Sequence, residues 1–341
     1  MSVQSETPRA SSRSLVDLVF RIREFGIIAV LALLVIVTAS FQHRFLSTQE
    51  LQFILLDTTV FALLAVGETM VVLTRNVDLS VGSVLGLSAF LSADMFGKHP
   101  GISIPIVFLV GLGIGVACGV ANGLLTTIGR VPSLVVTLAM LYIIRGIDIL
   151  VVGGGQVVAS SLPNSFLNIP QATIAGIPDL ALVIAAAVAI VAYYLRSFRA
   201  GRELYAIGSN PDAARLAGIP IGKRVFTAFV ISGAFAGVAG VLWAARYGTI
   251  DSTAGTGYEL QVVAAVVVGG VAIFGGSGSV VGAALGALLL NTINSALYVL
   301  GISAFWDQAI AGSLLISAIA LDRVINLQLT AALRRRSRLG A

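Results

Sequence analysis

The sequence predicts an all-α polytopic membrane protein, a bundle of about ten transmembrane helices with both termini in the cytoplasm. Of its 341 residues, 57% are hydrophobic and only 11% are charged, whereas a soluble domain carries about 25% charged residues. Apolar runs long enough to cross a bilayer recur down the whole chain. Lys and Arg gather in three regions that a ten-span path places on one side of the membrane.

Ten apolar segments follow one another, at about residues 26–41, 51–74, 79–96, 102–128, 132–152, 179–196, 224–247, 260–276, 279–300 and 305–321. Most are long enough to cross a hydrocarbon core of about 30 Å as helices. The third and eighth are short and rich in Gly and Ser, which predicts helices that are broken or re-entrant.

The basic residues predict the orientation and the division of the chain. They concentrate before the first segment, between the sixth and seventh, and after the tenth, and these regions should face the cytoplasm. We therefore expect an N-terminal cytoplasmic tail at 1–25, a transmembrane domain at 26–322 with a cytoplasmic loop at 197–223, and a basic cytoplasmic tail at 323–341. Orientation explains the net charge of +5, so no nucleic-acid partner is invoked. The last tail also suits contact with anionic membrane lipid.

Glycines recur every fourth residue inside several segments. In bilayer helices such small residues let two backbones approach closely, which predicts helix packing rather than a phosphate loop. The two stripes singled out are Gly111, Gly115, Gly119 and Gly123, and Gly278, Gly282 and Gly286.

The longest cytoplasmic connection holds a short helix with clear boundary signals. Asn210 or Ser209 can cap its start, Pro211 suits the first turn and Asp212 complements the positive helix end. Gly218 can close the helix in a left-handed conformation ahead of Pro220. The predicted helix, 211–217, presents Ala213, Ala214, Leu216 and Ala217. A helix this short is unstable alone in water, so it needs a partner, either its own bundle or a separate protein.

The stretch LTRNVDLSVGS, 73–83, carries charges between two apolar segments. A charge at mid-bilayer costs about 2.5–3.5 kcal/mol, so we expect Arg75, Asn76 and Asp78 at the cytoplasmic interface. Asp78 can cap the third helix, which begins near Ser80 and Gly82. The run Gly82–Gly86 (GSVLG) resembles Gly278–Gly282 (GSVVG) and suggests a weak internal repeat.

Polar residues inside the apolar segments are candidates for a solute path, because intramembrane polar groups line pathways or join helices. The candidates are Glu68, Asn122, Asn291 and Asn294. Arg145 and Asp148, one turn apart, are expected to neutralise each other.

The sequence lacks the motifs that several kinds of catalysis and cofactor binding require. No phosphate loop occurs, since Arg224 follows Gly222-Lys223 where Ser or Thr is needed. His43, His99 and Cys118 are scattered, so no metal-ligand spacing exists. No HExxH motif is present. The chain therefore has no catalytic constellation, no metal site and no ATPase site of its own.

These motifs together resemble the permease subunits of bacterial ATP-binding-cassette (ABC) sugar importers, the ribose, xylose, rhamnose and autoinducer-2 group. The resemblance covers roughly residues 45–322. It rests on GET at 67–69, LTRNVDLSVGS at 73–83, VP at 131–132 leading to TL at 137–138 and RG at 145–146, GR at 201–202 leading to AIG at 206–208, Asn210, AA at 213–214 and GI at 218–219, GYEL at 257–260, and VGG at 268–270 leading to FGGSGSV at 274–280.

The resemblance implies a permease dimer, with a second copy or a sister permease, in the bacterial inner (plasma) membrane. ABC ATPase subunits would dock on its cytoplasmic face and use ATP and Mg there, and a periplasmic sugar-binding protein would deliver the solute. Helix 211–217 would be the coupling helix seated in the ATPase. Residues 75–82 would form a signature at the cytoplasmic gate, where we hypothesise that Arg75 and Asp78 pair.

The departures from the family pattern are modest. Arg75-Asn76 replaces the Gly or Gly-Gly of many relatives and looks more like the autoinducer-2 and rhamnose branches. The alternatives are a branched-chain amino-acid ABC permease and an ion-coupled secondary transporter, for which Glu68 is the main coupling candidate.

Overall fold

The computed structural model describes residues 11–99, 101–303 and 305–320, with side chains from residue 25 onward. Its helices are α1 (Ser11–Phe41), α2 (Thr48–Leu73), α3 (Val81–Lys98), α4 (Ile104–Thr127), α5 (Ser133–Val152), α6 (Asn164–Leu167), α7 (Asp179–Ser197), α8 (Arg199–Ser209), α9 (Pro211–Leu216), α10 (Ile221–Tyr247), α11 (Tyr258–Val268), α12 (Val280–Val299) and α13 (Trp306–Ala320). The predicted tail 323–341 lies outside the described residues, and the predicted tail 1–25 is described only from Ser11, where α1 begins.

The α5–α7 connection contains both of the described strands and two of the described 3-10 turns. Two 3-10 turns, Ala159–Ser161 and Ile169–Gln171, flank α6, and strands β1 (Thr173–Ile174) and β2 (Ile177–Pro178) pair antiparallel. A further 3-10 turn, His43–Leu46, joins α1 to α2. The protein is thus an all-α polytopic membrane protein.

Helices that are long and apolar enough to cross a membrane occur along most of the described chain. Six described helices are long and apolar enough to span a bilayer: α2, α4, α5, α7, α10 and α12. Shorter apolar helices cover Phe25–Phe41, Tyr258–Val268 and Trp306–Ala320. Helix α2 is the centre of the bundle, because nearly every residue from Thr59 to Leu73 is buried. It packs on α7, α10, α11 and α12.

Helices α4 and α10 pack backbone to backbone along the glycine stripe of α4. A Cβ placed on Gly115 would lie 2.0 Å from the carbonyl oxygen of Gly233, and one on Gly119 would lie 2.5 Å from that of Phe229. Real Cβ atoms do not approach so closely, and a Cβ on Gly237 of α10 would likewise lie 2.1 Å from the carbonyl oxygen of Gly111. The stripe therefore sets the distance between these two helices.

The eighth apolar segment, expected at 260–276, is broken after Val268. An eleven-residue α11 is about 16 Å long, half of a hydrocarbon core of about 30 Å. The chain then turns through glycines with positive φ at Gly270, Gly275 and Gly276. Gly282 and Gly286 of α12 meet the backbone carbonyls of Gly269 and Ala265, so the second glycine stripe packs α12 on the end of α11.

Candidate functional site

A polar cavity of about 590 Å³ opens between α2, α12 and the start of α11. Polar, charged and aromatic side chains dominate its wall, which is unusual for the interior of an apolar bundle. The lining residues are Arg44, Gln49, Glu50, Phe53, Ile54, Asp57, Phe61, Tyr247, Tyr258, Gln261, Asn291, Asn294, Ser295, Tyr298 and Asp307.

One wall of this cavity is organised around Asp57 of α2. Arg246 Nε lies 3.1 Å from Asp57 Oδ1, and the Tyr247 hydroxyl lies 3.3 Å from the same oxygen. The Arg246 guanidinium also lies 4.7 Å from the centre of the Phe53 ring, a cation–π geometry. The carboxylate and the guanidinium are thereby fixed in place and leave the wall close to neutral.

The facing wall carries amide groups from α11 and α12. Gln261 donates from Nε2 to Asp307 of α13, and Asn291 donates from Nδ2 to Thr58 Oγ1 at 3.4 Å. Ser295 donates to Glu50. Asn294 Oδ1 is buried and accepts no hydrogen bond within the described part of the chain. The Asn294 residue itself is part of the cavity wall.

The inner end of the cavity is aromatic. The rings of Phe61 and Tyr258 lie 4.4 Å apart at 31°. Tyr258 follows Gly257, whose φ of 86° favours glycine. Fixed polar groups beside apolar aromatic faces are what a small polar ligand needs for orientation and for burial.

The sequence-predicted path residues divide between two places. Asn291 and Asn294 line the cavity. Glu68 and Asn122 do not line it, because both are buried in a separate hydrogen-bonded cluster near the ends of α2 and α4. Sequence reasoning missed Asp57 and Glu50, although a carboxylate such as Asp57 inside an apolar segment is itself a functional signal.

The hypothesised Arg75–Asp78 ion pair is wrong within the residues that the structure describes, since the two side chains turn in opposite directions. Arg75 adopts φ 65° and donates from Nε to the Gly208 carbonyl at 2.5 Å and from Nη2 to that of Ser209 at 2.8 Å. Asp78 is buried and accepts at Oδ1 from the Ser80 backbone N–H at 3.0 Å. Arg75 thus ties the 74–80 linker to α8. The prediction that Asp78 caps α3 is wrong, because the residue at the cap is Ser80 and Asp78 bonds Ser80 itself and not the first turn of the helix.

The other signature residues have structural partners of their own. Asn76 donates from Nδ2 to the carbonyl and hydroxyl oxygens of Thr74 at 3.0 and 2.9 Å. A Cβ on Gly82 would lie 2.5 Å from both Glu259 Oε2 and the Gly255 carbonyl oxygen. Gly82 therefore lets the loop before α11 approach α3.

That loop is held by Arg145 of α5. Arg145 Nη1 lies 3.3 Å from Asp148 Oδ2, which confirms the expected neutralisation, and donates to the carbonyls of Ser252 and Ala254 at 3.0 and 2.7 Å. The pair therefore positions the entry to α11, and with it Tyr258 on the cavity wall.

The short helix of the 197–223 loop has the predicted boundaries within one residue. Asn210 Oδ1 accepts from the N–H groups of Asp212 and Ala213 at 3.1 and 3.0 Å. Gly218 adopts φ 73°, past the helix end. Ala214 is buried against the bundle, whereas Leu216 is 91% exposed. One face of α9 thus packs on the protein and the other presents an unpartnered leucine.

Glu203 fastens this loop to the bundle. Its carboxylate lies 2.5 Å from Arg224 Nε at the start of α10 and 2.7 Å from Arg199 Nε of α8. Hydrogen bonds from Arg224, and then from Arg199, lower the pKa of the Glu203 carboxyl below its ordinary value. The charged form is stabilised by folding.

Three backbones meet at the end of α8. The Gly276 N–H donates to the Leu73 carbonyl at 3.0 Å, and a Cβ on Gly208 would lie 1.9 Å from that same carbonyl oxygen. The loop helices, the end of α2 and the α11–α12 turn are therefore in direct contact, so a displacement of α8 must move the other two.

The structure is a multi-span helical bundle with a polar interior cavity and a short surface helix anchored to its core. Residues 51–319 match the family described as "Branched-chain amino acid transport system / permease component", and the chain belongs to this family.

Several relatives carry a more specific name. The chain is 36% identical to the "Autoinducer 2 import system permease protein LsrC" of Enterobacter sp. (strain 638) over 303 residues, which cover 89% of this chain and 87% of the relative. It is 34% identical over 313 residues to the proteins of the same name from Escherichia coli (strain K12 / DH10B) and Salmonella typhi, covering 92% of this chain and 90% and 89% of the relatives. No solved structure matches the chain. Membership of the family makes the chain a multi-pass protein of the bacterial inner membrane.

Proposed function

We propose that this chain is the permease subunit of an ABC importer and forms the translocation path for a monosaccharide or sugar-like solute, with an autoinducer-2-like solute favoured. The observation that carries this proposal is the polar cavity that ends at Phe61 and Tyr258. The names of the relatives support the same solute class.

The chemistry of the wall suits a neutral, many-hydroxyl solute. The Asp57 carboxylate is paired with Arg246, and Glu50 and Asp307 accept hydrogen bonds from the neutral side chains of Ser295 and Gln261. The amides of Gln261, Asn291 and Asn294 donate and accept, as hydroxyl groups require. The rings of Phe61 and Tyr258 offer apolar surface for the C–H face of a sugar.

The membrane path proposed for the chain has ten segments with both termini in the cytoplasm. The basic residues of the 197–223 loop support this orientation. It places α8 and α9 inside, and it places the wide end of the cavity, near Arg44 and Glu50, outside.

The proposed partners follow from this arrangement. ABC ATPase subunits would receive α9 as the coupling helix and would bind the ATP and Mg, since this chain has no phosphate loop. A periplasmic sugar-binding protein would load the cavity from outside. A second copy of the chain or a sister permease would complete a dimer.

Uptake into vesicles tests the solute class. Cells, or right-side-out vesicles loaded with ATP, that hold the chain with its ATPase and binding protein should take up labelled autoinducer-2 or a pentose. The change Asn294→Leu removes a polar amide from the cavity wall and should raise the KM of uptake roughly fivefold, the equivalent of about 1 kcal/mol. Val183→Ala, at an apolar groove outside the cavity, is the control. Competition by leucine and none by a sugar would contradict the proposed solute.

A further inference from the structure

Two carboxylates meet where α2 gives way to the 74–80 linker. Glu68 is 0% exposed and Asp78 is 1% exposed. The Asp78 backbone N–H donates to Glu68 Oε1 at 3.0 Å. The two acids therefore share one buried site, which the transport path described above does not use.

The two acids have very unequal hydrogen bonding. Asp78 Oδ1 accepts from the Ser80 N–H at 3.0 Å, the Ser80 hydroxyl at 2.6 Å and Asn122 Nδ2 at 3.3 Å. Glu68 Oε2 is buried and has no hydrogen-bond partner among the described residues. Donors thus stabilise a negative charge on Asp78 and leave Glu68 without comparable support.

No cation in the described ranges pairs with either acid. Arg75, the nearest in sequence, is turned to Gly208 and Ser209 of α8. Helix α4 contributes Asn122 and one titratable group that interacts with Asp78, the thiol of Cys118. Helix α10 contributes the neutral Ser232, whose Cα packs at Gly67. The site therefore contains two acids and no compensating positive group.

The carboxyl groups of Glu68 and Asp78 cannot both be ionised in this buried site. The effective penalty for burying one ion is several kcal/mol, and a buried acid without a partner takes up a proton instead. Two carboxyl groups that share a site do not both ionise at ordinary pH. Because hydrogen bonds favour the charge on Asp78, the proton belongs on Glu68.

We propose that Glu68 is a proton-binding site, with the proton held at Oε2 while Asp78 stays ionised. Protonation forms one O–H bond from a solvent proton and turns Oε2 from an acceptor into a donor. The proton thus removes one of the two buried negative charges and leaves the other on Asp78, where Ser80 and Asn122 stabilise it.

Proton binding is linked to the position of the linker. The seven-residue linker 74–80 makes both contacts. Its Asp78 N–H donates to Glu68, and its Arg75 side chain donates to the end of α8. Any movement that takes Asp78 away from Glu68 and admits water relieves the repulsion and releases the proton. By linkage, the proton stabilises the arrangement seen here, in which the linker is docked on α8.

Infrared spectroscopy of the purified full chain at neutral pH tests the proposal directly. A protonated carboxyl has a C=O stretch well separated from that of a carboxylate. The wild-type minus Glu68→Gln difference spectrum should contain one such band, and this band should persist in Asp78→Asn. Glu68→Gln mimics the neutral acid and should fold with unchanged thermal stability at neutral pH.

Other outcomes would overturn the proposal. Absence of the band from the difference spectrum would show that Glu68 is ionised. Stabilisation of the wild type by Na⁺, lost in Glu68→Gln, would show that a metal cation occupies the site. Should Asp78→Asn fail to fold, the wild-type minus Glu68→Gln difference spectrum still tests the proposal, since absence of the band from it overturns the assignment.

Discussion

Arg75 and Asp78 lie three residues apart and have different partners. Arg75, held at φ 65°, reaches outward to the carbonyls that end α8, and Asp78 reaches inward to Ser80 and Asn122. A backbone that reverses at Arg75 sends the two side chains to opposite sides of the linker. Their spacing in the sequence suggested a pair, whereas the conformation of one residue excludes it.

The ion pairs of Glu203 lead to a prediction about how the stability of the protein depends on pH. Arg224 and Arg199 lower the pKa of the Glu203 carboxyl in the folded protein. The ion pairs therefore stabilise the fold fully at pH values above the ordinary pKa of 4.5. This stabilisation is lost as the pH falls from 4.5 through the pKa of the folded protein. Glu203→Gln should cost about 1 kcal/mol at neutral pH and nothing at low pH. Thermal unfolding in detergent against pH measures this. A difference that persists undiminished in acid would contradict the ion-pair explanation.

At the scale of elements, the sequence predicted best those features that depend only on neighbouring residues, such as helix caps. Asn210 and Gly218 predict α9 because caps act on the backbone beside them, and the helix is found at Pro211–Leu216. The break of the eighth segment was visible in its glycines, whereas the same signal was misleading in the third segment, because α3 is one unbroken helix of 18 residues. Only part of the cavity wall was predicted. Asn291 and Asn294 could be identified because they lie on one face of α12. The role of Asp57 could not, because it depends on a contact with Arg246, which is 189 residues away.

The α4–α10 contact makes a prediction about helix packing. Gly115→Ala places a Cβ against the backbone of α10, 2.0 Å from the Gly233 oxygen, and should destabilise the protein by about 1–3 kcal/mol. Gly113→Ala meets nothing within 4 Å and is the matched control, expected to be neutral or slightly stabilising. Thermal unfolding in detergent compares the two. Equal effects would show that the glycine stripe does not set the helix distance.

For the whole molecule, a mechanical connection joins the proposed coupling helix to the cavity. Helix α9 follows α8 directly, and α8 contacts both the end of α2 and the α11–α12 turn. These same helices carry Asp57, Tyr258 and Asn291 on the cavity wall. A displacement of α8 by a docked ATPase therefore has a direct route to the solute site.

Capture of partners from the native membrane tests the central claim most directly. The tagged chain and an Ala213→Arg variant are extracted in mild detergent, and mass spectrometry identifies what accompanies each. Residue 213 is exposed, so the variant should fold. We expect an ABC ATPase subunit with the unaltered chain and its loss from Ala213→Arg. A chain that emerges alone, and that moves solute on an ion gradient without ATP, would contradict the importer assignment.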